Sequence, residues 1–257
     1  MSPRVCWAIF RHEMRVQMTD PSTVIFVVVM PLLMVALTKN LFASALQAQG
    51  YPGANGAEFG VPGMAVAFAA FGVGYSGFSF FRDHGWGTWD RLRASAASST
   101  DIMIGKVVPS VLVSIVQLAL LFGLGGPLFG LHIRGSWLAL ALMIVVLALA
   151  LSAFGLLVTA LSRTTNQLNA IGSVGGTALA LLGGAWVPVE TMPGWAQAVA
   201  PALPTYWAMG GFRDVILDGA GISGTVGPIL AIAGFGILFT ALAAWRFRFE
   251  ESKAYFG

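Results

Sequence analysis

RDHGWGTWDRLRASAASS, residues 82–99, is the most polar stretch of the chain and stands between two long uncharged runs, 59–81 and 107–133. It gathers charges, two tryptophans and two lone glycines into a short gap. Gly85 and Gly87 are expected to break the preceding helix, because glycine is a poor helix-interior residue. Thr88 then reads as an N-cap, and Asp90 falls in the first turn, where the helix dipole favours it. TWDRLRASA makes a short helix with Trp89, Leu92 and Ala96 on one side and Asp90 one turn from Arg93. Ser99 or Thr100 recaps the chain, and Asp101 leads into the next apolar run.

The rest of the chain makes that gap exceptional. It has 257 residues, 57% hydrophobic and only 10% charged, where soluble domains run near a quarter charged. Uncharged runs cover 21–38, 59–81, 107–133, 135–162, 164–189, 191–212 and 219–245. A helix needs about 20 apolar residues to cross a bilayer, and a soluble helical core could not hide seven such runs. The expected fold is therefore all-α: one polytopic membrane domain over residues 1–257. Its spans are predicted near 22–44, 59–81, 103–130, 137–161, 167–187 and 226–247. The seventh run holds Pro193, Pro201 and Pro204. Proline breaks helices, so this run reads as short, partly embedded outer helices between spans five and six. ASA at 43–45 resembles a signal-peptide cleavage site, but the first apolar run, about 18 residues, exceeds the usual signal core. A retained first span is expected.

Charge sets the orientation. With the N-terminus inside, the inner segments carry Arg4, Arg11, Arg15, Arg82, Arg91, Arg93, Lys106, Arg163, Arg246, Arg248 and Lys253. The outer segments carry only Lys39, Arg134 and Arg213. That asymmetry places both termini in the cytoplasm of a cell bounded by this membrane, expected to be the bacterial inner membrane. Before the first span, Arg4, Arg11 and Arg15 stack on one helical stripe, with Val5, Ile9 and Val16 on another face and Glu13 interrupting the apolar arc. This reads as a helix lying flat in the inner interface. The plain alternative is ordinary flanking positive charge.

Much chemistry is missing. No acidic or basic residue sits in the middle of a predicted span, although ion-driven carriers typically need one there. His12, His84 and His132 are scattered, and no metal-binding spacing occurs. Gly105-Lys106 fails as a Walker A loop, because Thr100 and Val107 stand where glycine and Ser or Thr are required. The single cysteine, Cys6, excludes an internal disulfide. The basic residues line membrane edges and form no separate nucleic-acid-binding domain. If the chain moves a substrate uphill, energy must enter from a partner, such as a soluble ATPase docked on the cytoplasmic face.

At this point RDHGWGTWDRLRASAASSTDIMIGK resembles the cytoplasmic loop of type-2 ABC transporter permeases, the group that includes daunorubicin-resistance-type exporters. The matching features are Arg82, Gly87-Thr88, Arg91-Leu92, the small residues from Ala94 to Ser99, and Gly105-Lys106. The outer stretch GGAWVPVETMPGWAQAVAPALPTYWAMGGFRDVILDG is similar to the region after the family's fifth span, through Gly184, Pro188, Pro193, Trp195, Pro204, Tyr206, Arg213 and Gly219. The chain departs from the family in carrying Trp89-Asp90 where Glu is frequent, and in lacking a proline within ASAASS.

The resemblance implies a unit of two permease subunits, identical or paralogous, and two ATPase subunits that hold ATP and Mg. No cofactor is implied on this chain, and no catalytic residue. It also implies that Arg82, Asp83, Gly85, Gly87, Thr88, Trp89, Asp90, Arg91, Leu92 and Arg93 form a coupling helix and its flanks. Arg4, Arg11 and Arg15 would provide a second ATPase contact. The rival for Trp89 and Leu92 is simple anchoring in the headgroups. Export of a hydrophobic or amphipathic molecule is favoured: a drug-like natural product, a lipid or a lipid-linked glycan. Gln117, Asn169 and Tyr206 are candidate polar contacts along the route, with interhelical hydrogen bonding as the alternative role. A different kind of function, a non-transporting membrane anchor or sensor for a regulatory ATPase, stays open at this stage.

Overall fold

The computed structural model describes residues 3–20, 22, 25–95 and 97–246, apart from the side chains of Tyr75, Ser76 and Arg93. The Asp90–Arg93 pair, the place of Ala96 and the inner charges Arg248 and Lys253 lie outside the described residues. Among the described residues there is no strand.

Helix α1, Pro3–Thr19, precedes a π-helical turn, Ile25–Val29, that runs directly into α2, Met30–Ala48. The 59–81 run forms two helices, α3 (Ala57–Phe71) and α4 (Val73–Gly85), meeting at Gly72. The short α5 (Thr88–Ala94) lies in the polar gap. Three longer helices follow: α6 (Ser99–Phe129), α7 (Trp137–Leu161) and α8 (Thr165–Leu182). Short turns then lead through α9 (Gly194–Val199) and α10 (Pro204–Ile216) to α11 (Ile222–Arg246). Pro193 is the N-cap residue of α9, and Pro204 opens α10. Both spots suit a residue without an N–H to give.

Among the described residues four helices are long and apolar enough to cross a membrane: Ile25–Ala48, Ser99–Phe129, Trp137–Leu161 and Ile222–Arg246. Their burial separates centre from periphery. Over half of the apolar window of α7 (56%) is buried within the chain, against 17% for Ile25–Ala48 and 11% for α11. Leu37, Leu41, Leu230 and Ile237 point outward from the peripheral helices. Such extensive exposed apolar surface requires a non-aqueous surrounding. α8 crosses α3 and α4 where small residues permit it: Gly172 lies against Gly74, and a Cβ on Gly176 would sit 2.9 Å from the Ala70 carbonyl.

α6 has 31 residues and so runs for about 46 Å, well beyond a hydrocarbon core of about 30 Å. The helix is therefore longer than one perpendicular crossing needs, and its first turns carry the charged residues Asp101 and Lys106. There a second, smaller core forms from Ile9, Phe80, Trp89 and Ile102, with Val5, Leu92 and Met103 against it. This small core seats α1 and α5 on the ends of α4 and α6.

Candidate functional site

The polar gap folds as a tight corner. α4 ends at Gly85, and Trp86 N–H donates to the Arg82 carbonyl at 2.9 Å. Gly87 sits at φ +65°, in the left-handed region that glycine enters without penalty, and turns the chain into α5. Gly87 holds the N-cap position and Thr88 is the first helical residue, a correction to the sequence reading of Thr88 as cap. The Thr88 hydroxyl instead donates to the Asp83 carboxylate (3.0 Å), tying α5 to the end of α4. α6 is capped by Ser98, one residue earlier than expected. The Ser98 Oγ accepts from the Asp101 N–H at 3.2 Å, and the Asp101 carboxylate accepts from the Ser98 N–H at 3.1 Å.

Behind this corner lies a buried charge cluster. Glu13 of α1 is only 2% exposed. One of its carboxylate oxygens accepts from Lys106 Nζ and the other from Arg82 Nη2, each at 2.8 Å. Lys106 Nζ also pairs with Asp83 at 2.6 Å and donates to the Ser79 carbonyl at 3.3 Å. The Lys106 ammonium stands 5.2 Å from the Phe80 ring, and the Arg82 guanidinium 5.7 Å from Trp86. Two cations and two carboxylates balance. Three separate elements, α1, α4 and α6, contribute them, and Thr88 extends the network into α5. Buried ion pairs compensate for lost hydration only when complete, so the cluster fixes these elements relative to one another.

The neighbouring Gly105 makes the α1–α6 approach possible. A Cβ there would sit 2.7 Å from Ile9 Cγ2 and 2.8 Å from Ile9 Cβ. Ile9 is β-branched and cannot swing aside. Gly105→Ala is expected to lower the melting temperature of the purified protein and to loosen α1, read as faster amide exchange at 3–19.

The coupling residues expected from sequence divide into two groups. Arg82 is buried and Asp83 largely so, both inside the charge cluster. Trp89, 4% exposed, stacks on His84 with ring centroids 4.4 Å apart and packs in the small core. Its ring is thus buried within its own chain. Leu92 is half-buried against the same core. Gly85, Trp86, Gly87, Asp90 and Arg91 form the exposed face. Arg4, Arg11 and Arg15 are exposed along α1 beside Trp7. Sequence reasoning missed Glu13 and the pairing role of Lys106. The available signal was a carboxylate on the apolar arc of an otherwise basic amphipathic helix.

The three substrate-path candidates fall in three separate cavities. Gln117 borders one of about 330 Å³ among α1, α3, α4, α6 and α7. Asn169 is exposed beside Phe26, Phe71 and Gly172. Tyr206 borders a cavity of about 410 Å³ with Glu58, Arg213 and Asp214. At that cavity Arg213 pairs with Glu190 at 2.9 Å, and the Tyr51 hydroxyl donates to Asp218 at 2.9 Å. Burial, and then the Asp218 charge, push the Asp214 carboxyl above the usual range. A raised folded-state pKa means that the ionised form is disfavoured by folding, so stability falls as pH rises from the unfolded value through the folded one. Asp214→Asn is expected to stabilise the protein at pH 7 and to leave it unchanged below about pH 3, where an unperturbed Asp is also protonated; thermal melts across pH check this.

Residues 4–217, which include the polar corner, the charge-tied amphipathic helix and most of the apolar bundle, match the ABC-2 type transporter family. The chain belongs to that family and is its transporter-permease type. It is 29% identical over 156 residues to the linearmycin resistance permease protein LnrN of Bacillus subtilis (strain 168), covering 61% of this chain and 39% of that protein. It is 26% identical over 234 residues to the daunorubicin resistance ABC transporter permease protein DrrB1 of Streptomyces coeruleorubidus, covering 89% and 80% respectively. ABC transporter G family member 20 of Dictyostelium discoideum is 27% identical over 67% of this chain and 24% of its own length. The match thus spans about two fifths of the linearmycin permease and a quarter of the Dictyostelium protein.

Proposed function

We propose that the chain is the membrane-spanning subunit of an ATP-driven exporter that moves a hydrophobic or amphipathic molecule, of the drug-like natural-product kind, out of the cytoplasm. The observation that carries this reading is the buried cluster Glu13–Arg82–Asp83–Lys106. It joins a surface platform, made by α1 and α5, to the membrane helices α4 and α6. A motor pressing on Asp90 and Arg91 would move α5. The Thr88–Asp83 bond and the Asp83–Lys106–Glu13 chain would pass the displacement to α6 and α1. A short helix backed by a buried network moves as a unit.

In this reading the motor is a separate ATPase subunit that binds ATP and Mg, and a second permease subunit, identical or paralogous, completes the passage. Six passes are formed when α3 with α4, and α8, are counted beside the four long helices. Both termini and the α1–α5 platform then lie on the cytoplasmic side of the plasma membrane, in line with the charge asymmetry. Arg4, Arg11 and Arg15 supply a second docking strip. The names of the linearmycin and daunorubicin relatives favour an efflux role in antibiotic resistance.

The test is co-reconstitution with an ABC ATPase, identified by an intact Walker A motif in a reading frame beside this one. ATP-dependent accumulation of an amphipathic drug inside inside-out vesicles supports export. Regulation of ATP hydrolysis without any flux would instead make the chain an anchor or sensor for that ATPase.

A further inference from the structure

The cavity that Gln117 borders is lined by both hydroxyl groups and hydrocarbon. Ser110, Ser114 and Gln117 stand at spacings of four and three on α6 and so share one stripe. That stripe runs about 10 Å along the helix axis. Ser152 of α7 adds a further hydroxyl, and Val27, Phe78 and Leu151 add hydrocarbon to the lining. The titratable groups lie at one end. Glu13 and Arg82 there are already paired with each other, and Asp20 at the rim accepts from Ser22. Asp20 keeps its charge at the exposed rim, and among the described residues the wall beyond that end holds no titratable group to meet an ionised ligand.

Gln117 is 3% exposed, and its amide nitrogen has no hydrogen-bond partner among the described residues. A buried donor without an acceptor is costly. The terminal amide torsion is broad and roughly two-fold, so either edge of the amide can turn toward the cavity. The volume, about 330 Å³, falls within the range of small-molecule pockets.

We propose that this cavity binds a neutral amphiphile with hydroxyl or carbonyl oxygens along one edge and hydrocarbon along the other. Its oxygens meet the Ser110–Ser114–Gln117 stripe, and its hydrocarbon lies against Val27, Phe78 and Leu151. The proposal deepens the export reading by naming the ligand class. Its test uses neither ATP nor an ATPase, so binding and export stand or fall separately.

The full chain is reconstituted in phosphatidylcholine vesicles and photolabelled with two probes: a twelve-carbon chain bearing a diazirine and three vicinal hydroxyls, and the same chain without hydroxyls. The triol probe is expected to label α6 saturably around residues 110–117, and the plain chain to show no saturable labelling there. Gln117→Leu is expected to raise the half-saturating triol concentration about tenfold, the loss of one hydrogen bond. The same variant should melt no lower than the parent, because it removes a donor that lacks an acceptor. Ser114→Ala, a smaller change, gives a second reading in the same direction should Gln117→Leu fail to fold. Competition by added diacylglycerol would assign the ligand to the membrane, and its absence to a cytoplasmic solute; either agrees with the proposal. Equal labelling by both probes, or triol binding indifferent to both substitutions, overturns it. A lowered melting temperature for folded Gln117→Leu also overturns it, since the amide would then be bonded within the fold.

Discussion

Glu13→Gln is expected to destabilise the protein by about 3–5 kcal/mol, the usual result of removing one member of a buried ion pair. The substitution keeps the shape and removes the charge that Arg82 and Lys106 share. Asp83 can still answer Lys106, but Arg82 loses its carboxylate in a site from which water is largely excluded. Thermal melts in detergent or nanodiscs measure the loss. The double variant Glu13→Gln with Arg82→Gln restores neutrality and should recover more than half of it. A double-mutant cycle isolates the pair from general damage. In the transport assay, Glu13→Gln should also leave ATP hydrolysis running while flux falls, because α1 and α4 are no longer held together.

Trp89→Ala is the second large effect. Emptying the place of a buried tryptophan costs about 3–5 kcal/mol, and Trp89 is central to the small core that seats α5. The loss is local, because the main core lies elsewhere in the bundle. Membrane insertion should be unchanged, amide exchange in 88–94 should rise, and ATP hydrolysis should become insensitive to substrate. Full coupling in this variant would remove α5 from the transmission path.

Much of the fold was legible in the sequence because hydrocarbon imposes length and composition together. The runs within 21–38, 107–133, 135–162 and 219–245 each emerge as a helix that can cross. The break at Gly72 was not legible as a break. Nothing polar marks it, and the glycines nearby read equally well as a packing face. Trp89 was placed on the correct short helix, but the direction of its side chain was open. A helix of two turns has no inner side until its neighbours are known, and those neighbours, Ile9 and Phe80, come from other elements. Glu13 was hidden for a related reason. Its counter-ions are 69 and 93 residues away, so local periodicity shows only an interruption of an apolar arc. Gln117, Asn169 and Tyr206 were chosen as polar atoms in apolar runs, and the fold distributes them among three cavities. Of these three, Gln117 has a buried donor without a partner among the described residues.

The most direct test of the coupling platform uses Arg91, which is exposed on α5. With the single native cysteine, Cys6, replaced by serine, Arg91→Cys is treated with a membrane-impermeant maleimide in right-side-out and inside-out vesicles, with and without the ATPase. Labelling only in inside-out vesicles, blocked when the ATPase binds, is the predicted result. Labelling from the outer side, or inner labelling indifferent to bound ATPase, contradicts the account.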